Sequence, residues 1–210
     1  MDLIFFGMQG AGKGTLGKAV SSRFNMTIFE TGAALRQLAQ EESELGLKIK
    51  SIIEAGHLVS NEIVMEIVED FMNKIEDDSP ILFDGIPRSV EQAKTLNALL
   101  EKHKRNYKGV LINIKEETAL ERLTTRRIDP VTKKVYPASY KSDISEDGNK
   151  LVTRKDDNPE AIQTRLNAFK NETIPAIEIY NETLITINGE ESIEIVEKDA
   201  IETLSKVMQA

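Results

Sequence analysis

The sequence predicts an α/β fold, a three-layer α/β/α sandwich built around a five-stranded parallel sheet. Short, nearly continuous apolar runs alternate along the chain with longer segments of helical periodicity. Such runs are typical of parallel strands that are covered on both faces. Strands that alternate with helices favour right-handed crossovers, which place helices on both sides of the sheet.

Five runs are predicted to be strands: LIFF (3–6), MTIF (26–29), ILFD (81–84), GVLINI (109–114) and LITI (184–187). Helical patterns lie near 13–23, 31–39, 43–54, 61–77, 89–104, 116–126, 159–180 and 191–207. Pro175 is predicted to kink or interrupt the helix that starts at 159, because proline has no backbone N–H to donate.

Two segments interrupt this alternation and predict inserts into the core. Residues 30–60 hold two helical patterns between the second and third strands. Residues 125–157 are rich in Pro, Gly, Asp, Ser and Lys, and so long a structureless loop would be unusual, which favours a small β-rich flap. The predicted core is therefore 1–29, 61–124 and 158–210.

Composition narrows the classes of function. The chain has 210 residues, a net charge of −8 and no cysteine, so disulfides, thiolate catalysis and cysteine zinc sites are excluded. An acidic surface disfavours nucleic acid and acidic membranes as partners. With neither a signal peptide pattern nor an apolar run of about 20 residues, we expect a cytoplasmic protein. The absence of an extended apolar stripe favours a monomer.

The stretch GMQGAGKGT (7–15) matches the phosphate-binding spacing G-x-x-x-x-G-K, between a predicted strand and a predicted helix. Glycines allow backbone N–H groups to converge on phosphate oxygens, and Lys13 adds a positive charge. Gly14 occupies the position where a metal-binding hydroxyl usually stands. The next hydroxyl is Thr15, and Asp84, at the carboxyl end of ILFD, is the candidate carboxylate for Mg²⁺ through water.

Six of the nine arginines bracket the two inserts and the carboxyl edge of the predicted sheet. They are Arg36, Arg88, Arg122, Arg126, Arg154 and Arg165. Phosphoryl transfer between two nucleotides gathers several negative charges in one cleft, so it needs cations and no dedicated nucleophile. Arg23, Arg105 and Arg127 are expected to be solvated surface residues.

Several motifs together resemble the adenylate kinase family nearly end to end. GAGKGT, TGAALR (31–36), GHLVSNEIV (56–64) and FDGIPRSVEQA (83–93) are similar to the family's loop and acceptor-site motifs. The resemblance implies that Gly10, Ala11, Gly12, Lys13, Gly14 and Thr15 bind ATP. It implies an AMP site formed by Thr31, Arg36, His57, Leu58, Val59, Gly85, Ile86, Pro87, Arg88 and Gln92, with Gln92 on the adenine edge.

The second insert resembles the family's lid. ERLTTRRIDPVTKKVYP (121–137) places Arg122 and Arg126 on ATP, with the backbone of Val135 and Tyr136 near its adenine. LVTRKDDNPEAIQTRL (151–166) implies that Arg154 and Arg165 span the transferred phosphoryl and also contact AMP. The loop NGE (188–190) is similar to the one that closes on the ATP base. The catalytic set implied is Lys13, Arg88, Arg126, Arg154 and Arg165.

Four departures from the family pattern are visible. Ala33 replaces an Asp that would help order Mg²⁺ water, and this leaves more of that role to Asp84. Ser60-Asn61 replace Pro-Asp, which is expected to loosen the hinge of the first insert, and Pro137 stands where a His is frequent. The lid has no cysteine, so the resemblance implies Mg²⁺ with ATP and no zinc.

The resemblance implies reversible transfer of the terminal phosphoryl of ATP to AMP, giving two ADP. The first alternative is a kinase of UMP or CMP, against which Gln92 argues because its amide pairs with adenine. The second is a nucleotide-binding sensor with little turnover, motivated by Ala33 and the altered hinge.

Overall fold

A computed structural model describes residues 1–75 and 79–208. It confirms the predicted fold class, because five parallel strands form one sheet in the order β2-β3-β1-β4-β7 with helices packed around it. The strands in chain order are β1 (Asp2–Phe6), β2 (Thr27–Glu30), β3 (Ile81–Asp84), β4 (Tyr107–Asn113), β5 (Arg127–Ile128), β6 (Val135–Tyr136) and β7 (Ile185–Asn188).

The helices follow the predicted order. They are α1 (Lys13–Phe24), α2 (Thr31–Leu38), α3 (Glu44–Glu54), α4 (Asn61–Met72), α5 (Val90–Lys102), α6 (Glu116–Thr125), α7 (Pro159–Ala168), α8 (Ile174–Glu178) and α9 (Ile193–Met208). Across residues 1–75 and 79–208, no helix is both long enough and apolar enough to span a bilayer.

Strand β1 shows how the sheet supports two cores. Leu3 and Phe5 belong to the cluster packed by α1, α6, α7 and α9, whereas Ile4 and Phe6 belong to the cluster packed by α4, α5 and α8. All four side chains are at most 2% exposed. Because successive strand residues point to opposite faces, an apolar run of this kind is stable only between two helical layers.

The amino end of the sheet is closed by an ion pair. Arg105 Nε and Nη2 donate to Asp2 Oδ2 and Oδ1 at 2.6 and 2.9 Å, and Asp2 Oδ1 also accepts from the backbone N–H of Ile81 at 2.9 Å. The expectation that Arg105 is a solvated surface residue is wrong, since its side chain is only 10% exposed. The buried Asp2 carboxylate needs this counter-charge.

One helix is shorter in the structure than its sequence pattern predicts. The pattern at 61–77 predicts a longer helix than α4, which stops at Met72 because Asn73 and Lys74 are exposed and give the next turn little packing. Residues 76 and 77 of that prediction lie outside the described residues.

The segment 159–180 is interrupted, as Pro175 predicts. A π-helical turn (Phe169–Thr173) separates α7 from α8, and a 3₁₀ turn (Asn181–Thr183) follows. Proline cannot donate the usual helical hydrogen bond, and a widened turn accommodates its ring. From this turn, Thr173 Oγ1 donates to the carbonyl of Arg88 at 3.0 Å.

Residues 125–157 contain less strand than the β-rich flap that was predicted. Strands β5 and β6 have two residues each, and the isolated bridges are Ile128–Val152 and Ile144–Lys150. Turns account for much of the rest, because Pro, Gly and Asp are frequent there.

A buried aspartate organises these turns. Asp129 is 0% exposed and accepts from the backbone N–H groups of Val131 and Thr132 at 2.8 and 3.1 Å and from Asn149 Nδ2 at 3.0 Å. Burial raises the pKa of the Asp129 carboxyl, but hydrogen bonds from Asn149, Ser145, Val131 and Thr132 outweigh burial and hold the pKa well below its ordinary range. The segment is therefore stabilised by a carboxylate.

Candidate active site

The loop between β1 and α1 needs its glycines. Gly10 and Gly12 have φ angles of 87° and 91°, in the left-handed region that favours glycine. A Cβ added to Gly7 would lie 2.8 Å from the carbonyl oxygen of Ile112. No side chain caps the start of α1, so its first N–H groups remain available to an anion.

Lys13 lies inside this loop. Its Nζ donates to the carbonyls of Gly7 and Met8 at 2.7 and 3.2 Å. Burial lowers the pKa of Lys13 to about 8; attraction to Asp84 opposes the shift, and repulsion from Arg88, Arg126 and Arg165 adds to it. Lys13 is thus electrostatically coupled to three of the predicted catalytic arginines.

Asp84 lies at the carboxyl end of β3, beside the start of α1. Its Oδ2 is 3.7 Å from the position that a Cβ on Gly14 would take, and Glu30 Oε1 is 3.8 Å from the same position. Burial raises the pKa of Asp84, while Lys13, Arg88 and Arg36 oppose that shift. Oxygen atoms of carboxylates are the ligands that Mg²⁺ prefers. A side chain at position 14 would fill the space that the two carboxylates face, and glycine leaves it open. These residues therefore fit a magnesium ion.

Arg126 and Arg165 are fixed by two adjacent aspartates. Arg126 donates from Nε and Nη2 to Asp157 at 2.8 and 2.6 Å. Arg165 donates from Nη1 to Asp156 Oδ2 at 3.0 Å and from Nη2 to Asp157 Oδ1 at 2.8 Å. Burial raises the pKa of Asp157, but hydrogen bonds from Arg126 and Arg165 outweigh it and lower the pKa overall. The pairs hold both guanidinium groups in place.

Three further arginines, Arg36, Arg88 and Arg154, interact electrostatically with those above. Burial lowers the pKa of Arg36, with Asp156 and Glu30 opposing it. Burial likewise lowers the pKa of Arg88, opposed first by Asp84.

Burial also lowers the pKa of Arg154 to about 10, and repulsion from Arg126 and Arg36 adds to the shift. Within the described ranges, neither Arg36 nor Arg154 has an ion-pair partner within 4.0 Å. Their charges are available to an anionic ligand.

A cavity of about 390 Å³ is lined by Leu58, Val59, Asn61, residues 89–92 and, from the segment after α7, Asn171, Glu172 and Pro175. Ser89 caps α5 by accepting from the backbone N–H of Gln92 at 3.2 Å. The Oε1 of Gln92 accepts from the backbone N–H of Arg88 at 2.8 Å, which leaves its Nε2 as a donor. His57, by contrast, has an exposed side chain at the turn after α3.

Arg122 connects the phosphate loop to the loop at 188–190. Its Nη1 is 3.4 Å from the carbonyl of Gly10, and its Nη2 donates to the carbonyl of Gly189 at 3.0 Å. Val135 and Tyr136 lie in the short sheet of 125–157, and no hydrogen bond in the described part of the chain joins them to the phosphate loop. Their predicted contact with adenine stays a prediction.

Buried polar atoms without a hydrogen-bond partner concentrate in the predicted nucleotide-binding segments. Four of the five found in the described residues are Gln9 Oε1, Thr31 Oγ1, Asn61 Oδ1 and Tyr136 Oη. An unpaired buried polar group costs about 1–3 kcal/mol, so each favours a ligand or water that would satisfy it. The remaining site residues, Thr15, Gly85, Ile86 and Pro87, lie on α1 and directly after β3.

A sequence model described as "Adenylate kinase" matches residues 5–185. The chain belongs to the adenylate kinase family. An adenylate kinase from Petrotoga mobilis is 38% identical over 97% of each chain. One from Kosmotoga olearia is 36% identical over 99% of this chain and 100% of the relative, and one from Shouchella clausii is 35% identical over 98% and 99%.

Sequence analysis missed three acidic residues of this adenylate kinase site. Asp156 and Asp157 were visible as an acidic pair in RKDDNPE, between two predicted phosphate-binding arginines. Glu30 was missed because the strand was predicted to end at Phe29, whereas β2 ends at Glu30 and places it at the carboxyl edge.

Proposed function

We propose that this adenylate kinase family member catalyses the reversible transfer of the terminal phosphoryl group of ATP to AMP, giving two ADP. The observation that supports the proposal is a group of interacting cations that joins the loop at Lys13 to Arg36. Lys13 interacts with Arg88, Arg126 and Arg165, and Arg36 interacts with Arg126 and Arg165. Two nucleotides laid end to end would place their phosphates along this group.

ATP would be held at the loop and helix start formed by Gly10, Ala11, Gly12, Lys13, Gly14 and Thr15. The N–H groups of this loop and the dipole of α1 favour phosphate, and Arg122 and Arg126 would add charge near the transferred group. The hydrogen bonds of Arg122 to Gly10 and Gly189 support a position beside the loop.

AMP would occupy the cavity beside Gln92, with its phosphate toward Arg36 and Arg88. Thr31, Leu58, Val59 and residues 85–87 would surround it, and the backbone at His57 would border the turn. Nε2 of Gln92 can donate to the N1 acceptor of adenine. The fixed orientation of this amide supports AMP over UMP, because the N3–H of uracil is a donor at the corresponding ring position.

The chemistry needs positioning more than a nucleophilic side chain. An oxygen of the AMP phosphate attacks the terminal phosphorus of ATP, and the bond from that phosphorus to the bridging oxygen breaks, so ADP leaves with the electron pair. Charge spreads over the equatorial oxygens during transfer. Arg88, Arg126, Arg154 and Arg165 would neutralise that charge, and Asp157 keeps two of them aligned before substrate arrives.

Mg²⁺ is the metal that accompanies ATP in this proposal, and it neutralises phosphate charge when bound. Asp84 would accept hydrogen bonds from its water shell, and Thr15 would lie near the metal. The choice of magnesium and the absence of zinc stay predictions from the sequence.

Two inserts would exclude water from the cleft, 30–60 as the AMP-binding insert and 125–157 as the lid. Both carry arginines of the site at their ends, so ordering either segment would bring charge to the phosphates. Exclusion of water suppresses hydrolysis of ATP. The cytoplasmic location, the monomeric state and the exclusion of nucleic acid and membranes stay predictions from the sequence.

Titration with a bisubstrate mimic, two adenosines joined by five phosphates, tests the proposal by calorimetry. We expect tight binding at one mimic per chain. A coupled assay with AMP, CMP, UMP and GMP then distinguishes the alternatives. Turnover of CMP or UMP equal to that of AMP would support the pyrimidine kinase, and tight binding without ADP formation would support the sensor.

A further inference from the structure

Two carboxylates meet at the carboxyl ends of neighbouring strands. Glu30 and Asp84 are register partners at the last positions of β2 and β3. Both have an oxygen within 3.8 Å of the point where a Cβ on Gly14 would lie. The two acidic groups therefore face the same small space at the start of α1.

Both carboxylates interact electrostatically with nearby cations, Asp84 with Lys13 and Arg88 and Glu30 with Arg36, but neither has a bonded partner in the described residues. Among residues 1–75 and 79–208, no hydrogen bond reaches either side chain, and no cation lies within ion-pair distance of either. Glu30 is also the N-cap residue of α2, yet its side chain makes no capping hydrogen bond. Two adjacent, partly buried anions without donors are costly unless a cation or ordered water satisfies them.

The space they face adjoins the loop that would hold the ATP phosphates. Mg²⁺ keeps several waters when it binds phosphates, and carboxylates accept hydrogen bonds from those waters. We propose that Glu30 acts with Asp84 as a second carboxylate for the water shell of the Mg²⁺ that accompanies ATP. The proposal rests on the proposed function and assigns a role to a residue that the sequence motifs pass over.

Arg36 offers a competing role for Glu30. Glu30 opposes the lowering of the pKa of Arg36, although Asp156 does so more strongly. If Glu30 served only as a counter-charge for Arg36, its removal would alter AMP binding. The position of Glu30 beside Gly14, at the start of α1, favours its role at the water shell of Mg²⁺. The two roles predict changes in the binding of different ligands.

The test compares wild-type protein with Glu30→Gln, which preserves side-chain size and removes the charge. The affinity for the non-hydrolysable analogue β,γ-imido-ATP is measured by calorimetry with saturating Mg²⁺ and with a chelator. The coupling between metal and nucleotide is the dissociation constant measured with chelator divided by the one measured with Mg²⁺. We expect Glu30→Gln to reduce this ratio by about tenfold, with AMP affinity changed less than about twofold.

Three further variants sharpen the comparison. Glu42→Gln removes the same charge from an exposed position in the same insert and should leave the ratio unchanged. Glu30→Asp keeps the charge on a shorter chain and should give an intermediate ratio, which also serves if Glu30→Gln fails to fold. In a double-mutant cycle with Asp84→Asn, the two effects on the ratio should be non-additive.

The outcomes separate this inference from the proposed function. Wild-type protein that binds neither β,γ-imido-ATP nor AMP would overturn the proposed function. Wild-type protein that shows the coupling, together with an unchanged ratio in Glu30→Gln and Glu30→Asp, would overturn the role of Glu30 alone. A large loss of AMP affinity with an unchanged ratio would assign Glu30 to Arg36 and would also overturn the proposal.

Discussion

Arg126 and Arg165, which are 39 positions apart in the sequence, are held by the same carboxylate oxygen. Asp157 Oδ1 accepts from Arg126 Nη2 at 2.6 Å and from Arg165 Nη2 at 2.8 Å, and the Asp157 side chain is 0% exposed. One buried anion therefore sets the spacing of two cations, which the proposed function places on the transferred phosphoryl group.

Replacing Asp157 by Asn tests this arrangement. Loss of the charge leaves two largely buried guanidinium groups without their common partner, so we expect a loss of about 3 kcal/mol in the free energy of unfolding. We expect kcat to fall by at least about tenfold because the arginines lose their alignment. Urea denaturation and the coupled assay measure the two effects. Asp143→Asn, which removes an exposed partner of Arg127, should change neither, and equal effects of the two variants would contradict the assignment.

The lowered pKa of Lys13 predicts proton uptake when ATP binds. With a pKa of about 8 in the folded protein and about 10.4 in an unfolded chain, Lys13 binds fewer protons in the folded state between these values. Its contribution to stability therefore falls as the pH falls from about 10.4 to about 8. Bound phosphate favours the ammonium form and raises the pKa, so ATP binding should take up protons near pH 9 and few below pH 7.

Calorimetry in buffers of different ionisation enthalpy measures this uptake. Lys13→Arg should abolish it, because arginine stays protonated throughout this range. Lys18→Arg, an exposed substitution further along α1, should retain it. Uptake that persists in Lys13→Arg would show that another group titrates.

Asp129 predicts an acid-sensitive lid. Its pKa lies below the ordinary value of about 3.9, so its stabilising effect is complete above that value and is lost as the pH falls below it, through the folded pKa. Asp129→Asn should loosen 125–157 at neutral pH, with faster hydrogen exchange and proteolysis confined to that segment. Glu146→Gln, which removes an exposed partner of Lys134, should not have this effect. Uniform loss of protection over the whole chain would contradict a local role.

Gln92 predicts base selectivity. Its side chain is 4% exposed, and Gln92→Leu would remove the fixed donor and the hydrogen bond from the backbone of Arg88. We expect kcat/KM for AMP to fall by about 10- to 100-fold and kcat/KM for UMP, whose N3–H cannot accept from Nε2, to change much less. Gln163→Leu, at an exposed position on α7, is the control. A parallel loss for AMP and UMP would indicate a structural role only.

A carboxylate placed at position 33 is predicted to compensate for the loss of the one at Glu30. Ala33 lies three residues after Glu30, one turn along α2, and it is exposed. We expect Ala33→Asp to change the Mg²⁺ dependence of the rate little in the wild-type background and to restore it partly in Glu30→Gln. An equally large gain in both backgrounds would show that Glu30 does not supply the carboxylate. The measurement is initial rate against Mg²⁺ concentration at fixed ATP.

Local patterns were sufficient to predict the sheet and the helices around it. The ends of LIFF, ILFD and GVLINI lie within two residues of the ends of β1, β3 and β4, because a strand covered on both faces has to be apolar throughout. The end of α4 was predicted too late, since helical periodicity carries no information on whether the next turn finds anything to pack against.

Sequence spacing predicted the glycine loop, Asp84 and the arginines of the candidate site, but not the carboxylates that hold the arginines. Glycines and arginines at fixed spacings indicate phosphate without any knowledge of the fold. Asp157, the partner that holds Arg126, lies 31 positions further along the chain, and a contact between such distant segments is not visible in local spacing. Arg105 was misread for the same reason, because its partner Asp2 lies 103 positions away.

The bond between Asp2 and Arg105 gives the central sheet two unlike ends. At the amino end, opposite charges neutralise one another, and the strands are fastened where no chemistry takes place. At the carboxyl end, Glu30, Asp84, Arg36 and Arg154 have no ion-pair partner among the described residues, so their charges remain open to a ligand. We therefore expect substitutions that stabilise the amino end of the sheet to leave the candidate site at its carboxyl end unaffected.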